Sequence, residues 1–352
     1  MCDRDGLFYR NFSRRAFLKS SSAGAAVTIA VPASLASLLA PRPAFAATTT
    51  LKATHGSGFC NMGIFLAKER NLTVADGVEL EFVVTPSNTE ITTMFGAGLV
   101  DISMIPYSNF MTLYDAGAPV KIVAGGGAQG CIIVAAEGIK SAADLKGKTF
   151  GTFQADTLEV LPYDYLKKAG LSFKDVQIKY LDTSPELAQA FMAGALDAIC
   201  HIEPYATQCV LGRKGATVLS DGIDVYGKGY SDCVLAARVP LIEKNPAAIK
   251  AVIKALFVAQ SQAEADKTAA LKDTVGKYYK TSMEAAIDAS SKQPLVVDQR
   301  NQTQFIIDRG ASMQELGYVK KMPDKGAFDW SLMEAVIAEN KTLYDGLKLK
   351  SA

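Results

Sequence analysis

The chain has 352 residues, with 37 Lys or Arg against 36 Asp or Glu, so its formal net charge is +1. No basic stripe or Lys/Arg cluster stands out, which disfavours a nucleic-acid-binding function. A chain of this length is expected to form two domains, each with a hydrophobic core of its own.

The first 46 residues have the features of an export signal. Residues 13–19 read SRRAFLK, a twin-arginine motif in nearly full form. An apolar stretch rich in Ala and Ser covers residues 23–40, and Ala44-Phe45-Ala46 provides a small-x-small cleavage site. A membrane anchor is disfavoured, because Pro32 and many small residues weaken this stretch. We therefore expect twin-arginine export, cleavage near Ala46 and a mature protein in the periplasm, since no comparable apolar run follows.

One sequence phrase occurs twice in the rest of the chain. It covers residues 95–107 and recurs at residues 191–205, with Phe, Ala, Gly and Asp at matching places. In each copy we expect an amphipathic helix to end at a glycine, Gly98 or Gly194, which adopts the left-handed cap without steric cost. A short apolar strand follows, and then a loop with Pro and Tyr at the strand's carboxyl end, where ligands bind in open α/β sheets. Two copies predict two similar lobes that share a cleft.

Hydrophobic periodicity predicts an α/β fold in which strands alternate with helices. Besides the strands within the two phrases, the predicted strands cover residues 51–54, 78–85, 121–124, 131–135, 149–152, 176–181, 216–219 and 232–238. Beyond Pro240, amphipathic helical patterns recur to Leu347, and these helices are expected to wrap the first lobe. We assign residues 47–136 and 238–352 to lobe 1 and residues 137–237 to lobe 2. Each lobe is expected to be a mostly parallel sheet flanked by helices, with a hinge between the lobes.

Four stretches resemble a known protein family: residues 63–71 (GIFLAKERN), 141–151 (SAADLKGKTFG), 191–197 (FMAGALD) and 203–205 (EPY). They are similar to stretches of the periplasmic solute-binding proteins of ABC importers in the nitrate/taurine/sulfonate/bicarbonate group. That group also includes carriers of a thiamine-precursor pyrimidine. The resemblance covers roughly residues 51–347. It implies a two-lobed periplasmic-binding-protein fold of type II, a small-molecule ligand between the lobes, no catalysis, and delivery to a membrane permease with its ATPase.

The same resemblance places the ligand cleft at five loops, residues 55–61, 107–109, 126–131, 153–157 and 201–205. Aromatic side chains would form its walls and a few polar groups would orient the ligand. The candidate ligand-binding residues in and beside these loops are His55, Phe59, Cys60, Asn61, Tyr107, Ser108, Asn109, Gln129, Phe153, Gln154, Asp156, Thr157, His201, Glu203, Tyr205 and Asp232. The last loop usually ends in Glu-Pro-Trp in the family but ends in Glu-Pro-Tyr here. This change keeps an aromatic wall, adds a hydroxyl group and leaves the ligand class open.

The charges in these loops indicate which ligands fit. None of the loops contains Lys or Arg, so an anion would depend on backbone N–H groups at helix N-termini, around Asn61 and Thr157. Asp156 is expected to cap the helix that follows it. If Glu203 faces the ligand, it favours an amine or a ring N–H. The expected ligand is therefore a taurine- or sulfonate-like zwitterion or a nitrogenous ring rather than a bare anion.

The cysteines after the export signal are five in number, and their spacing is not that of a disulfide framework. Cys200 and Cys209 could pair only if the loop and helix between them bring them together. Cysteines in apolar strands are more often small buried residues than disulfide partners or ligands. His55 and His201 both fall in candidate cleft loops, but the Cys and His spacing matches no compact metal motif. We expect no metal and no cofactor.

Catalysis is not expected either. The superfamily includes a pyrimidine synthase with a cysteine-rich run, and this chain lacks such a run. The sequence also has no nucleophile elbow, P-loop or dinucleotide fingerprint. We expect a monomeric, non-enzymatic binding subunit whose partners are a small molecule, an ABC permease and an ATPase. The alternative is an extracytoplasmic ligand sensor with the same fold, and a relative of pyrimidine-precursor biosynthesis is less favoured.

Overall fold

The computed structural model describes residues 48–85 and 87–352. The expected export signal and its cleavage site at Ala46 lie outside these residues. Within the two described ranges, no helix combines the length and the apolar character that crossing a bilayer requires.

The chain first forms alternating strands and helices that contribute to one sheet. These elements are β1 (Thr49–His55), α1 (Met62–Glu69), β2 (Val78–Phe82), α2 (Asn88–Gly96), β3 (Ile102–Pro106), α3 (Tyr107–Asp115) and β4 (Val120–Gly125). Strand β1 pairs in parallel with β2 on one side and with β3 on the other. Leu51 and Ala53 of β1 are buried in the core beneath this sheet, as the alternating side chains of a strand require.

The chain then forms a second sheet with its own helices. These elements are β5 (Cys131–Ala135), β6 (Thr149–Thr152), α4 (Thr157–Lys168), β7 (Gln177–Tyr180), α5 (Ser184–Met192), β8 (Ala198–Ile202), α6 (Tyr205–Gly212), β9 (Thr217–Ser220) and α7 (Ile223–Tyr226). The strand order is β7-β6-β8-β5-β9. Strand β6 is parallel to β7 and β8, whereas β5 is antiparallel to β8 and β9. This sheet and its helices are called the second lobe.

Strand β10 (Cys233–Arg238) returns to the first sheet, where it lies between β3 and β4 and runs antiparallel to both. The first sheet therefore has the order β2-β1-β3-β10-β4. The remaining helices are α8 (Val239–Lys244), α9 (Pro246–Ala265), α10 (Lys267–Thr274), α11 (Met283–Ala289), α12 (Thr303–Glu315), α13 (Ser331–Glu339) and α14 (Lys341–Asp345). Ile249, Val252 and Ile253 of α9 are buried in the same core as β1 and α1. We call this sheet with its helices the first lobe, and both sheets are mixed.

The two lobe crossings lie earlier in the chain than the sequence-based boundaries. Strand β5 hydrogen-bonds within the second sheet, although residues up to 136 were assigned to lobe 1. Strand β10 belongs to the first sheet, although residues up to 237 were assigned to lobe 2. All five residues of β5 are buried. A fully apolar strand carries no alternation that would indicate which sheet it joins. The pairing is decided by tertiary contacts.

The two copies of the repeated phrase have the same local structure. A glycine in the left-handed conformation follows the end of α2 and of α5, with φ of +75° at Gly98 and +84° at Gly194. Phe95 and Phe191 are buried on the inner faces of these helices. Strands β3 and β8 come next and are buried along their whole length. The expected sequence of helix, glycine and apolar strand is present in both lobes.

The aspartate of each copy anchors its own strand to the parallel neighbour. Asp101 accepts a hydrogen bond from the backbone N–H of Lys52 in β1, at 2.8 Å. Asp197 accepts one from the N–H of Thr149 in β6, at 2.9 Å, and another from the Thr149 hydroxyl at 2.9 Å. These hydrogen bonds lower the pKa of Asp197, the backbone bond most of all. The repeated Asp therefore fixes the start of the central strand in each sheet.

Replacing Asp197 with Ala should lower the free energy of unfolding by about 1–3 kcal/mol, because the N–H and hydroxyl of Thr149 lose a charged acceptor. Chemical denaturation followed by circular dichroism measures this change. Glu243→Ala, at an exposed position on α8, is the control and should change stability by no more than about 0.5 kcal/mol. Equal stability of the two variants would contradict the anchoring role of Asp197.

Candidate functional site

A cleft of about 810 Å³ lies between the two lobes. The first lobe contributes Phe82 and Tyr278 to its walls, and the second lobe contributes Phe153 and Tyr205. Aromatic and apolar walls of this kind are typical of sites for small organic molecules. We call this space the outer cleft.

The outer cleft continues into a smaller space of about 30 Å³, which we call the inner pocket. The two spaces share Gly56 and Ser57 of the first lobe with Phe153 and Ser184 of the second. The other residues that line the inner pocket are Gly58, Cys60, Asn61, Pro106, Asp156, Thr157, Leu158, Ile202, Asp232 and Cys233. A space of this size holds about one or two water-sized groups. The inner pocket can therefore take a small functional group, while the outer cleft takes the body of a ligand.

The loop after β1 forms one wall of the inner pocket, and Asn61 holds its shape. The N–H of Gly56 donates to Asn61 Oδ1 at 3.0 Å, and Asn61 Nδ2 donates to the carbonyl oxygen of Gly58 at 3.3 Å. Asn61 stands at the start of α1, but its side chain makes no capping hydrogen bond and closes its own loop instead. Gly58 lies so close to the second lobe that a Cβ there would be 2.5 Å from Ile202 Cγ1. A residue with a side chain would thus force the lobes apart at this point.

A disulfide bond joins Cys60 in this loop to Cys233 at the start of β10, with a Cα–Cα distance of 5.7 Å. The cysteine spacing in the sequence gives no indication of this pair. The two cysteines are 173 residues apart, so only the insertion of β10 into the first sheet brings them together. Cys200 and Cys209, the pair considered from sequence, are both buried free thiols. Cys60 does line the inner pocket, but its sulfur is held in the disulfide.

Asp232 is the buried carboxylate of the inner pocket, and it is 1% exposed. Its Oδ1 accepts a hydrogen bond from the Thr157 hydroxyl at 2.8 Å, and its Oδ2 accepts one from Gln293 Nε2 at 2.8 Å. Burial raises the pKa of Asp232 to about 7, against the effect of the Thr157 hydrogen bond, and the nearby charge of Asp156 raises it further. Asp156 accepts from the N–H of Leu158 at 3.0 Å and so caps α4, as expected.

Glu203 does not line the inner pocket or the outer cleft. Its carboxylate accepts hydrogen bonds from the N–H of Thr207 at 3.0 Å and from the Thr207 hydroxyl at 2.8 Å, within the first turn of α6. Lys292 Nζ lies 3.8 Å from Glu203 Oε1. Burial raises the pKa of Glu203 to about 7, although the Thr207 hydrogen bonds and Lys292 oppose the shift. Glu203 was a candidate ligand-binding residue, but in the structure its carboxylate stabilises the start of α6 instead of lining the cleft.

The two histidines have different surroundings. His55 lies at the edge of the outer cleft and packs edge-on against Phe65 and Phe82, with ring centroids 4.6 and 4.7 Å apart. His201 is buried, with Nε2 2.9 Å from the carbonyl oxygen of Ser184 and Nδ1 accepting from the N–H of Ile202 at 2.8 Å. Burial lowers the pKa of His201 to about 4. Both ring nitrogens of His201 are therefore used by the protein itself.

Besides Glu203, the candidates that do not line the inner pocket or the outer cleft are Phe59, Tyr107, Ser108, Asn109, Gln129, Gln154 and His201. Phe59 is buried and packs edge-on against Tyr279. Tyr107 and Ser108 are buried at the start of α3, and Gln154 is exposed. Asn109 Nδ2 donates to the carbonyl oxygen of Ala155 at 3.2 Å and so links the two lobes. Gln129 Oε1 accepts from the N–H of Gly229 at 3.0 Å, in the segments that cross between the lobes.

Ser57 and Ser184 are cleft residues that the sequence analysis missed. Their hydroxyl oxygens lie 2.7 Å apart across the cleft. Nearby, the N–H of Phe59 donates to the carbonyl oxygen of Glu203 at 2.8 Å. Ser184 follows the helix cap Thr183, and its sequence context indicated only a helix start. Direct contacts between the lobes beside the inner pocket describe a closed arrangement.

Tyr205 lies at the boundary of the outer cleft and is held by contacts to both lobes. Its hydroxyl oxygen accepts from the N–H of Lys280 at 3.1 Å, and its ring stacks on His201 with centroids 5.2 Å apart. Tyr278 and Lys280, which also line the outer cleft, come from the segment after α10. No sequence signal linked that segment to the cleft, because its position depends on the C-terminal helices of the first lobe.

Comparison with known proteins identifies relatives of this architecture. Residues 60–285 match the NMT1/THI5-like family. A protein of Escherichia coli K12 named as an aliphatic sulfonates-binding protein is 38% identical over 124 residues, which is 35% of this chain and 37% of that protein. A protein of Brucella abortus named as a binding protein is 26% identical over 195 residues, covering 55% of this chain and 60% of that protein. The matched parts thus span less than two thirds of these curated relatives.

Solved structures show the same fold. The periplasmic aliphatic sulphonate-binding protein of Escherichia coli has a TM-score of 0.68 and 23% identity, covering 80% of this chain and 92% of the other. The periplasmic nitrate-binding protein of Synechocystis PCC 6803 has a TM-score of 0.70 and 16% identity, covering 86% and 92%. At these identities the likeness establishes the two-lobed fold and leaves the ligand open.

Replacing Glu203 with Gln should make stability less dependent on pH. Because the pKa of Glu203 is about 7 in the folded state and 4.5 ordinarily, its contribution is complete below about pH 4.5 and is lost as the pH rises through about 7. This loss is at most about 3 kcal/mol. Gln still offers an acceptor and a donor to Thr207, so the variant should lose less stability over this range. Chemical denaturation between about pH 5 and pH 8 measures both slopes, and equal slopes would show that Glu203 titrates normally.

Proposed function

Because this chain belongs to the NMT1/THI5-like family, we propose that it is the solute-binding subunit of an ABC importer. It acts outside the cytoplasm as a monomer, takes up a small organic molecule between its lobes and delivers that molecule to a permease driven by an ATPase. The relatives named above are binding proteins rather than enzymes, which supports a non-catalytic role.

The observation that carries this proposal is the pair of connected spaces between two separately built lobes. Ligand-driven closure requires a ligand to contact both lobes at once. The inner pocket meets this requirement, because Asn61 and Asp232 come from the first lobe and Asp156 and Thr157 from the second. The contact between Ser57 and Ser184 beside the pocket joins the two lobes, so it stabilises the closed arrangement and would be absent when the lobes separate.

The charges of the inner pocket favour a ligand that presents a positively charged or N–H-bearing nitrogen. The pocket contains the carboxylates of Asp156 and Asp232, and no Lys or Arg is among its lining residues. A sulfonate or nitrate group placed there would meet these carboxylates without a compensating cation, which is unfavourable in a buried site. An ammonium group or a ring N–H instead gains charge-assisted hydrogen bonds.

The outer cleft supplies the cations that the inner pocket lacks, although the acidic residues Glu69, Glu81 and Asp182 line it too. Lys68, Lys277 and Lys280 line it, together with the aromatic rings of Phe82 and Tyr278. A zwitterion of the taurine type would therefore bind with its ammonium group in the inner pocket and its sulfonate group towards these lysines. A nitrogenous ring would bind with an N–H directed inward and its plane between the aromatic walls. Both classes share the inward-facing nitrogen.

The test compares taurine with ethanesulfonate and with ethylamine by isothermal titration calorimetry. Taurine should bind more tightly than ethanesulfonate, because only taurine offers the nitrogen that the inner pocket accepts. Asp232→Asn should weaken binding of taurine by at least about tenfold, which corresponds to the loss of about 1.4 kcal/mol from a charged hydrogen bond. A panel of pyrimidines, run in the same way, tests the ring class.

Asp345→Asn, at an exposed position on α14, removes the same charge far from the cleft and should leave binding unchanged. Binding of nitrate or sulfate, with no response to taurine, amines or pyrimidines, would contradict the proposed ligand class and leave the solute-binding role intact. Binding of none of these ligands by wild type, with no stabilisation in thermal melts, would contradict both.

A further inference from the structure

Three buried side chains at the wall of the inner pocket bring their ligating atoms together. They are Cys60, Asp232 and Cys233, and one sulfur or carboxylate oxygen from each lies within 4.8 Å of the others. All three residues are 3% exposed or less. In the structure described above, the two sulfurs form a disulfide bond. Sequence spacing does not indicate this cluster, because β10 brings together residues that are far apart in the chain.

We propose that, when the disulfide is reduced, these three residues bind one soft divalent ion of the Zn²⁺ type. Two thiolates and one carboxylate form a donor set that Zn²⁺ accepts readily. Three protein ligands leave a fourth coordination position, and all three residues line the inner pocket. The oxidised chain keeps the pocket free of the ion, whereas the reduced chain binds it.

The protein holds the three ligands in place without the ion. The carbonyl oxygen of Cys233 accepts from the N–H of Gly126 at 2.9 Å, and that of Asp232 accepts from the N–H of Tyr107 at 3.0 Å. Cys60 lies in the turn that Asn61 closes. Ligands on ordered backbone lose little freedom when they bind a metal, so the cluster is preorganised.

Neighbouring side chains orient the carboxylate as well. Thr157 donates to Asp232 Oδ1 at 2.8 Å and Gln293 donates to Oδ2 at 2.8 Å. Such outer hydrogen bonds are typical of carboxylates that bind metals. The pocket lining includes no Lys or Arg, so a divalent cation would meet no repelling charge there. His201 is excluded as a ligand, since both of its ring nitrogens are hydrogen-bonded within the second lobe.

The reduction is an ordinary exchange with a dithiol. A thiolate of the dithiol attacks one sulfur of the pair, the Cys60–Cys233 bond breaks, and a mixed disulfide forms. The second thiol of the reductant then displaces the protein sulfur. Cys60 and Cys233 gain two electrons and two protons, and the dithiol becomes a disulfide. Binding of the ion releases the two thiol protons.

The proposal is tested by anaerobic titration of the purified protein with Co²⁺, which replaces Zn²⁺ in such sites and absorbs strongly when thiolates coordinate it. The protein is prepared oxidised and after reduction with a trialkylphosphine. The reduced protein should bind about one Co²⁺ per chain, with thiolate-to-metal absorption, because the cluster forms one donor set. The oxidised protein should show no such absorption. The double variant Cys60→Ser/Cys233→Ser should lose the absorption in both preparations.

Cys209→Ala is the matched control, because Cys209 is a buried free cysteine in the second lobe and lies outside the inner pocket. It should retain the absorption of the reduced wild type. Thermal melting provides a second measurement, and Zn²⁺ should raise the melting temperature of the reduced protein more than that of the oxidised protein. Absence of thiolate absorption in the reduced wild type, its persistence in the double variant, or a reduced chain that stays unfolded in Zn²⁺ would each overturn the proposal. None of these outcomes bears on solute binding by the oxidised protein.

Discussion

The buried carboxylate of Asp232 is the constraint on which the site depends. A carboxylate without contact to water is costly unless hydrogen-bond donors surround it. Here Thr157 donates from the first turn of α4 in the second lobe, and Gln293 donates from the segment after α11. One carboxylate thus ties together both lobes and the C-terminal part of the chain. Because Asp232 lines the inner pocket, its carboxylate oxygens also make this pocket rich in hydrogen-bond acceptors.

Strand β10 places this carboxylate and the disulfide at the same point. The strand enters the first sheet between β3 and β4, and its first residue, Cys233, pairs with Pro106 at the carboxyl end of β3. Because β10 is antiparallel to its neighbours, its beginning lies at the edge where β1 and β3 end. The residue just before it, Asp232, therefore faces the loop that carries Cys60 and Asn61. An antiparallel return strand in an otherwise parallel sheet is what brings residues distant in sequence into one pocket.

The names of these relatives refer to anions, yet the inner pocket of this chain is acidic. The Escherichia coli relative is named for aliphatic sulfonates and the Synechocystis structure for nitrate. The fold does not by itself select the sign of the ligand charge, since function resides in the side chains at the cleft. In this chain the inner pocket is lined by two carboxylates and no Lys or Arg, whereas lysines and acidic residues both line the outer cleft. Cations are therefore found only in the outer of the two spaces, where the sulfonate group of a zwitterion would lie.

The amino-acid sequence by itself determined the local elements and the plan of two lobes. The repeated phrase fixed a glycine after the helix and an aspartate at the strand start in both lobes, because these roles depend on neighbours in the chain. Capping of α4 by Asp156 was predictable for the same reason. Only the tertiary structure decided the pairing of β5 and β10, the Cys60–Cys233 bond and the turn of Glu203 towards Thr207. Each of these depends on contacts between residues far apart in sequence or on the direction of one side chain. Hydrophobic periodicity and motif spacing in the sequence predict neither of them.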